Sequence, residues 1–199
     1  MSNRKPTEEQ VTILDIAQST SSNLMLRALA GTGKTTTLEM IEQAVETRPI
    51  LYLVFNKRNA EEAHERMLST TTVKTFNSLG HGVWSSTIDR NLTLVPKKIG
   101  DLLREMIKET KGRQAQSEIW NSYWEVINGV AMAKALGYVP EGVYPNARRL
   151  IQQADFHSAL DERPDDLTSD LIDAVLTRSI KESYSGRIDY NDQIYMPAL

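Results

Sequence analysis

Ala28-Leu29-Ala30-Gly31-Thr32-Gly33-Lys34-Thr35-Thr36-Thr37 sets two glycines, a lysine and a run of hydroxyls side by side. The order fits the phosphate-loop pattern G-x-x-x-x-G-K-[ST], with Ala28 where the first glycine usually sits. Gly31 and Gly33 reach backbone angles closed to other residues and put no side chain in the way. The loop's N–H groups can then turn inward around a polyphosphate. Lys34 would place an ammonium on the terminal phosphates, and the Thr35 hydroxyl would complete a Mg shell. Lys34 and Thr35 are therefore the candidate catalytic residues, and Ala30, Gly31, Thr32, Gly33, Lys34, Thr35 and Thr36 the candidate phosphate cradle. The chemistry implied is nucleotide binding.

Such a loop needs a strand before it and a helix after it. Residues 23–28 form a short, largely apolar run that reads as a buried strand. Residues 35–47 read as a helix with Leu38, Ile41 and Val45 on one face. Its free N–H groups and positive dipole end favour an anion. After Arg48-Pro49, residues 50–55 form a near-continuous apolar run, as expected of a strand buried on both faces of a parallel sheet. Strand, helix, strand implies an α/β architecture.

Composition narrows the class. The chain of 199 residues is long enough for a sizeable core and has a net charge of −3. No apolar run approaches the ~20 residues that span a bilayer, and residues 1–6 lack the apolar stretch of a signal peptide. No cysteine is present, which excludes disulfides and thiolate metal sites. The histidines, His64, His81 and His157, lie far apart, so a histidine metal site is not expected. Residues 1–150 hold 19 Lys and Arg against 16 Asp and Glu, whereas residues 151–199 hold 4 against 10. An anionic partner should therefore meet the first part of the chain, although ordinary surface variation would give the same asymmetry.

Along the chain, Thr7-Glu8-Glu9-Gln10 is a helix-start signature with Thr7 as N-cap and Gln10 as its capping-box partner. The Gln10 amide has a second possible use, pairing with an adenine edge; the local pattern favours capping. Asn56-Lys57-Arg58-Asn59 sits just past a strand's C-terminal end, where open α/β sheets bind ligands. A helix is expected over 60–68. Lys57 and Arg58 at its start are unfavourable next to the positive dipole end, which suggests that they face an anion. Residues 71–74 are β-prone and lead into Thr75-Phe76-Asn77-Ser78. An aromatic beside hydroxyls and an amide suits base stacking with phosphate bonding; a core Phe76 and a capping Asn77 or Ser78 are the alternative.

From about residue 88 the pattern turns helical, with stretches over 96–110, 117–136, 146–160 and 167–183 and a break at 137–145. Ile119, Tyr123, Trp124, Ile127 and Val130 form one core stripe. Lys97, Lys98, Arg104, Lys108, Lys111 and Arg113 form a basic face, solvated or turned to a strand backbone. No apolar strand ends in an Asp-Glu pair, the element that P-loop hydrolases use to hold magnesium and position water.

The ordered set of motifs resembles the UvrD-like DNA helicases of superfamily 1, especially their phage-type and F-box-helicase-like members. Thr7 to Gln10 is similar to the family's Q motif, whose glutamine reads adenine, which turns the expectation for Gln10 towards the nucleotide. Ala28 to Thr36 is a common helicase form of Walker A. Residues 55–60 resemble motif Ia and residues 75–80 motif Ib. By this resemblance Asn56, Lys57, Arg58, Thr75, Phe76 and Asn77 touch single-stranded DNA. It implies a P-loop NTPase parallel sheet, an incomplete RecA-like motor domain with an inserted helical subdomain. The motor portion would cover residues 1–87, the helical insertion 88–185, and a return segment 186–199 carrying the Asp189-Tyr190-Asn191-Asp192 stretch.

The cofactors implied are ATP and Mg, the partner single-stranded DNA, and the setting repair or replication. The expected location is the cytoplasm, a host cytoplasm for a phage protein, or the nucleus in a eukaryote, without a membrane. In the family, Walker B follows the return segment, so the chain is expected to be an N-terminal portion that binds ATP and hydrolyses it poorly alone. A P-loop kinase or transferase acting on a small metabolite is the alternative, with a non-catalytic nucleotide- or DNA-binding module as a third reading.

Overall fold

The computed structural model describes residues 5–46, 49–143 and 151–199. The chain divides into two compact units, residues 1–76 and 77–199. Among the described residues no helix is long and apolar enough to cross a membrane.

The first unit is α/β. It opens with α1 (Glu8–Ser19), followed by the glycine loop and α2 (Lys34–Ala44). Strand β1 (Ile50–Val54) lies parallel to β2 (Thr71–Thr75), with Ile50 opposite Thr71 and Val54 opposite Thr75. Helix α3 (Lys57–Arg66) crosses between them, packing Ala63 and Met67 on Val73 and Tyr52. It starts earlier than residue 60 because the Asn56 side chain accepts the Asn59 N–H at 2.8 Å and caps the first turn. Arg66 ties this helix to Glu39 of α2. Helix α2 ends at Ala44, short of residue 47, and Thr47 lies outside the described residues.

Residues 23–28 correct the sequence expectation. They form no strand, and Met25 is 76% exposed. A short apolar run is compatible with a buried strand, but a strand also requires a neighbour to bond, and among the described residues β1 and β2 bond only each other. For the same reason β1 is not buried on both faces: Leu51 is half-exposed and Phe55, just past its end, is open to solvent.

The second unit is mainly helical. Helix α4 (Phe76–Ile88) begins at the junction of the two units. The short strand β3 (Thr93–Leu94) leads to α5 (Lys98–Glu109), α6 (Arg113–Asn121) and α7 (Tyr123–Leu136). Then come α8 (Gln153–Ser158), α9 (Asp166–Tyr184), β4 (Arg187–Ile188), which pairs parallel with β3, and α10 (Asp192–Ala198). Residues 144–150, including the first part of the helix expected over 146–160, lie outside the described residues.

The core joins Leu102, Leu103 and Ile107 of α5 to Val126 and Val130 of α7 and to Ile172, Val175 and Leu176 of α9. The single helix expected over 117–136 is two. The backbone leaves helical angles at Ser122 (φ −88°, ψ 5°), whose hydroxyl accepts a hydrogen bond from Thr168 at 3.2 Å. Trp124 leaves the expected core stripe, because the buried face of α7 runs through Tyr123, Val126, Val130 and Ala133.

Lys98 likewise leaves the expected basic face, because it is fully buried. Its Nζ donates to Ser179 O at 2.7 Å, Ser183 Oγ at 2.9 Å and Asp192 Oδ2 at 2.8 Å. Lys134 donates to Ser179 Oγ at 3.0 Å and to Asp189 Oδ2 at 2.6 Å, and pairs with Asp192 Oδ1 at 2.7 Å. Lys98 thus places all three protons on acceptors, and Lys134 makes two hydrogen bonds with the Asp192 carboxylate as a close counter-charge, which is what makes two buried lysines tolerable. Asp189 and Asp192 also accept each other's backbone N–H at 2.9 Å, closing the turn between β4 and α10.

That turn presses on α4. Asn77 Nδ2 donates to Tyr190 O and Gln193 Oε1, both at 2.9 Å. A Cβ on Gly80 would stand 1.7 Å from Gln193 O, so this helix position admits only glycine. Gly80→Ala is expected to lower stability by about 3 kcal/mol, because backbone rather than a flexible side chain must yield. Denaturant unfolding followed through the buried Trp84 measures this.

Candidate nucleotide-phosphate site

The loop adopts the geometry that its residue types dictate. Gly31 and Gly33 both sit at φ 81°, in the left-handed region where a side chain is strained. A Cβ added to Gly31 would meet nothing within 4 Å, so the space beside the loop at that position is open. Gly33 serves as N-cap of α2 without any side-chain cap, and the first helical amide to reach a carbonyl is that of Thr37, on Gly33 O at 2.9 Å. The N–H groups of Lys34, Thr35 and Thr36 therefore open towards the loop, at the positive end of an 11-residue helix. Lys34 Nζ folds back onto Leu29 O at 2.8 Å and Ala28 O at 3.2 Å. A phosphate oxygen offers that ammonium a stronger, charged acceptor than these two neutral carbonyls. Lys34 and Thr35 are both exposed. Open amides, a ready ammonium and an accessible hydroxyl suit a polyphosphate with its magnesium.

Gln10 stands beside this loop and serves it through both ends of its amide. Oε1 accepts the Thr7 N–H at 3.0 Å, and Thr7 Oγ1 accepts the Gln10 N–H at 3.2 Å, completing the capping box. Nε2 donates to Thr37 Oγ1 at 3.0 Å, and Thr37 in turn donates to Gly33 O at 3.1 Å. Each end keeps capacity for one more partner. Thr37, buried at the foot of the loop, is the residue that sequence reasoning passed over. Its signal was present in a third threonine, one turn after Gly33. A cavity of about 610 Å³ opens beside the loop, lined by Thr32, Lys34 and Thr37 and by apolar residues of α1 and α2, Ile13 and Ile41 among them.

The remaining predicted contacts occupy strand ends. Because β1 and β2 run parallel with Val54 opposite Thr75, residues 55–58 and 75–76 leave the sheet at the same edge. Lys57 is 90% exposed and pairs only loosely with Glu61, at 3.6 Å. Arg58 is exposed, and Phe76 is half-exposed rather than core. Asn56 is engaged as the α3 cap, and Asn77 belongs to the second unit, where both protons of its amide are taken.

A family model described as an AAA domain matches residues 10–178, from the glutamine of the capping box to the last turns of α9. The match spans the phosphate loop, its helix and both strands of the first unit. With the left-handed glycines, the open helix terminus and the lysine of the loop, it shows that the chain belongs to the AAA-domain family of P-loop NTPases, α/β proteins that bind nucleotide through this loop.

Proposed function

We infer that the chain is the ATP- and single-stranded-DNA-binding portion of an ATP-dependent DNA helicase, with a RecA-like motor domain of the UvrD-like kind. The observation that carries this reading is the parallel register of β1 and β2. It delivers Lys57 and Arg58 to the same sheet edge as Thr75 and Phe76, exposed cations beside an exposed aromatic ring. Cations meet phosphates without regard to sequence, and a ring stacks on any base.

In this reading Gly31, Gly33 and the amides of α2 cradle the phosphates, Lys34 holds the terminal ones and Gln10 contacts adenine. Mg, held by Thr35 and the phosphates, would offset charge at the reacting phosphate. Moving from the loop carbonyls to the phosphates, Lys34 stabilises negative charge where it accumulates. Neither strand of the first unit ends in a carboxylate: β1 runs into Phe55-Asn56 and β2 into Phe76-Asn77. The 199-residue chain is therefore expected to bind Mg–ATP and turn it over slowly.

Phosphate release measured with and without a DNA oligonucleotide tests this. Strong DNA-stimulated turnover, lost in Lys34→Ala, would contradict slow turnover while supporting the helicase reading. Phosphoryl transfer to a small metabolite, indifferent to DNA, would replace that reading with a kinase. For the DNA contact, Lys57→Ala is expected to reduce the slope of log affinity against log salt by about 0.7, the share of one phosphate on a single strand. Fluorescence anisotropy across a salt series gives the slope.

A further inference from the structure

The helical unit carries a concave surface that neither the phosphate loop nor the strand ends use. This cavity of about 540 Å³ is walled by the start of α5, by α7 and by the turn between β4 and α10. Trp124 stands on the α7 wall, 73% exposed. An indole this open forgoes the burial that makes tryptophan a core residue, and such rings concentrate at surfaces that a partner covers.

The ring lies against an anchored aromatic neighbour. Trp120 stacks on Tyr123 with centroids 5.1 Å apart, and Tyr123 meets Trp124 edge to face at 5.3 Å. Tyr123 is itself buried and anchored by Arg104, whose Nη1 donates to its hydroxyl at 2.7 Å. Gly100 leaves room for that hydroxyl, since a Cβ there would lie 2.8 Å from it. A platform fixed beforehand loses little freedom when a flat ligand settles on it.

Charge selects the ligand. Asp189, on the cavity wall, is engaged with Lys134, and Arg104 is engaged with Asp101 at 2.5 Å. Lys97, exposed on the α5 wall, has no ion-pair partner among the described residues. The cavity therefore presents an exposed aromatic ring beside one uncompensated cation. That combination suits a base with its backbone phosphate.

We propose that this cleft is a stacking subsite for single-stranded nucleic acid, with Trp124 as the base platform and Lys97 at the adjacent phosphate. The proposal rests on the single-strand reading given above and extends it to a surface of the helical unit.

Titration of the full chain with an oligothymidine, read by tryptophan fluorescence and acrylamide quenching, tests it. Trp84 is buried, so the change reports Trp120 and Trp124. The expected result is quenching on binding and shielding of Trp124 from acrylamide. Trp124→Ala is expected to weaken binding about tenfold, within the range for loss of one stacked base. Trp124→Phe should retain most of the affinity, and both variants should keep the wild-type thermal midpoint and ATP affinity. Equal oligothymidine affinity in wild type and Trp124→Ala would overturn the subsite and leave the strand-end contacts standing. No oligothymidine binding by the wild type would overturn both. Shielding of Trp124 by a proline-rich peptide but not by oligothymidine would give the cleft to a protein partner and also overturn it.

Discussion

Lys34→Ala is expected to weaken ATP binding by about 100-fold while shifting the melting temperature by less than about 2 °C, because the lost group serves the ligand and not the fold. The ammonium is exposed and, among the described residues, bonds Ala28 O and Leu29 O, both within its own loop. With nucleotide it would meet phosphate oxygens, and two charge-assisted hydrogen bonds at about 1.5–3 kcal/mol each set the size of the loss. Lys34→Arg is expected not to restore full affinity, since a planar fork cannot replace a compact point charge inside a tight loop. Isothermal titration with Mg–ATP measures both variants. An unchanged affinity in the alanine variant would mean that nucleotide binds elsewhere.

Asp192→Ala carries the largest expected loss of stability, about 3–5 kcal/mol, because it strands buried cations. Asp192 is fully buried and answers both Lys98 and Lys134, so its removal leaves Lys98 without a carboxylate and Lys134 with Asp189 alone. It also accepts the Asp189 N–H, so the turn leading into α10 loosens with it. Trp84 reports on this loss at close range. Its Nε1 donates to Ser183 O at 3.1 Å, and the Ser183 hydroxyl accepts from Lys98. Denaturant unfolding followed by Trp84 emission therefore tests the figure directly.

The same group predicts an acid limb. Burial alone would push the Asp192 carboxyl up, but the charges and hydrogen bonds of Lys134 and Lys98 outweigh it and hold the carboxyl below its ordinary value. The unfolded chain therefore takes up this proton at a higher pH than the folded one. The contribution to stability is complete above the unfolded carboxylate range, about pH 4, and is lost as pH falls through the lower folded value. Unfolding midpoints measured downward from pH 6 should decline more steeply in the wild type than in Asp192→Ala.

Much of the first unit was legible because local chemistry constrains it. The capping box at Thr7 and Gln10 needs only four consecutive residues, and it forms with both of its hydrogen bonds. The phosphate loop is legible for the same reason: glycine is the residue that occupies φ 81° without strain, and it does so twice. Strand β2 and helix α9 lie within a residue or two of their expected places, since period and caps mark them.

What failed to show in the sequence depends on neighbours. Residues 23–28 are largely apolar, yet of the two runs only β1 has a partner strand, and apolar composition does not encode who pairs with whom. Lys98 lies in a run that reads as a solvated basic face. Its burial requires Asp192, 94 residues away, to arrive at its ammonium. Gln10 held two readings, and only the placement of Thr37 of α2 showed that one amide could cap α1 and brace the loop together. Trp124 reads as core by its spacing, but the face of α7 that the core takes up runs through Tyr123, Val126, Val130 and Ala133 and leaves the indole in solvent. The sequence by itself determined the phosphate loop, the helix caps and the α/β class, because each follows from backbone sterics and short-range hydrogen bonds. The tertiary structure alone decided which lysines are buried, which aromatic ring is exposed and which strand finds a partner, because desolvation and pairing depend on what distant segments bring into contact.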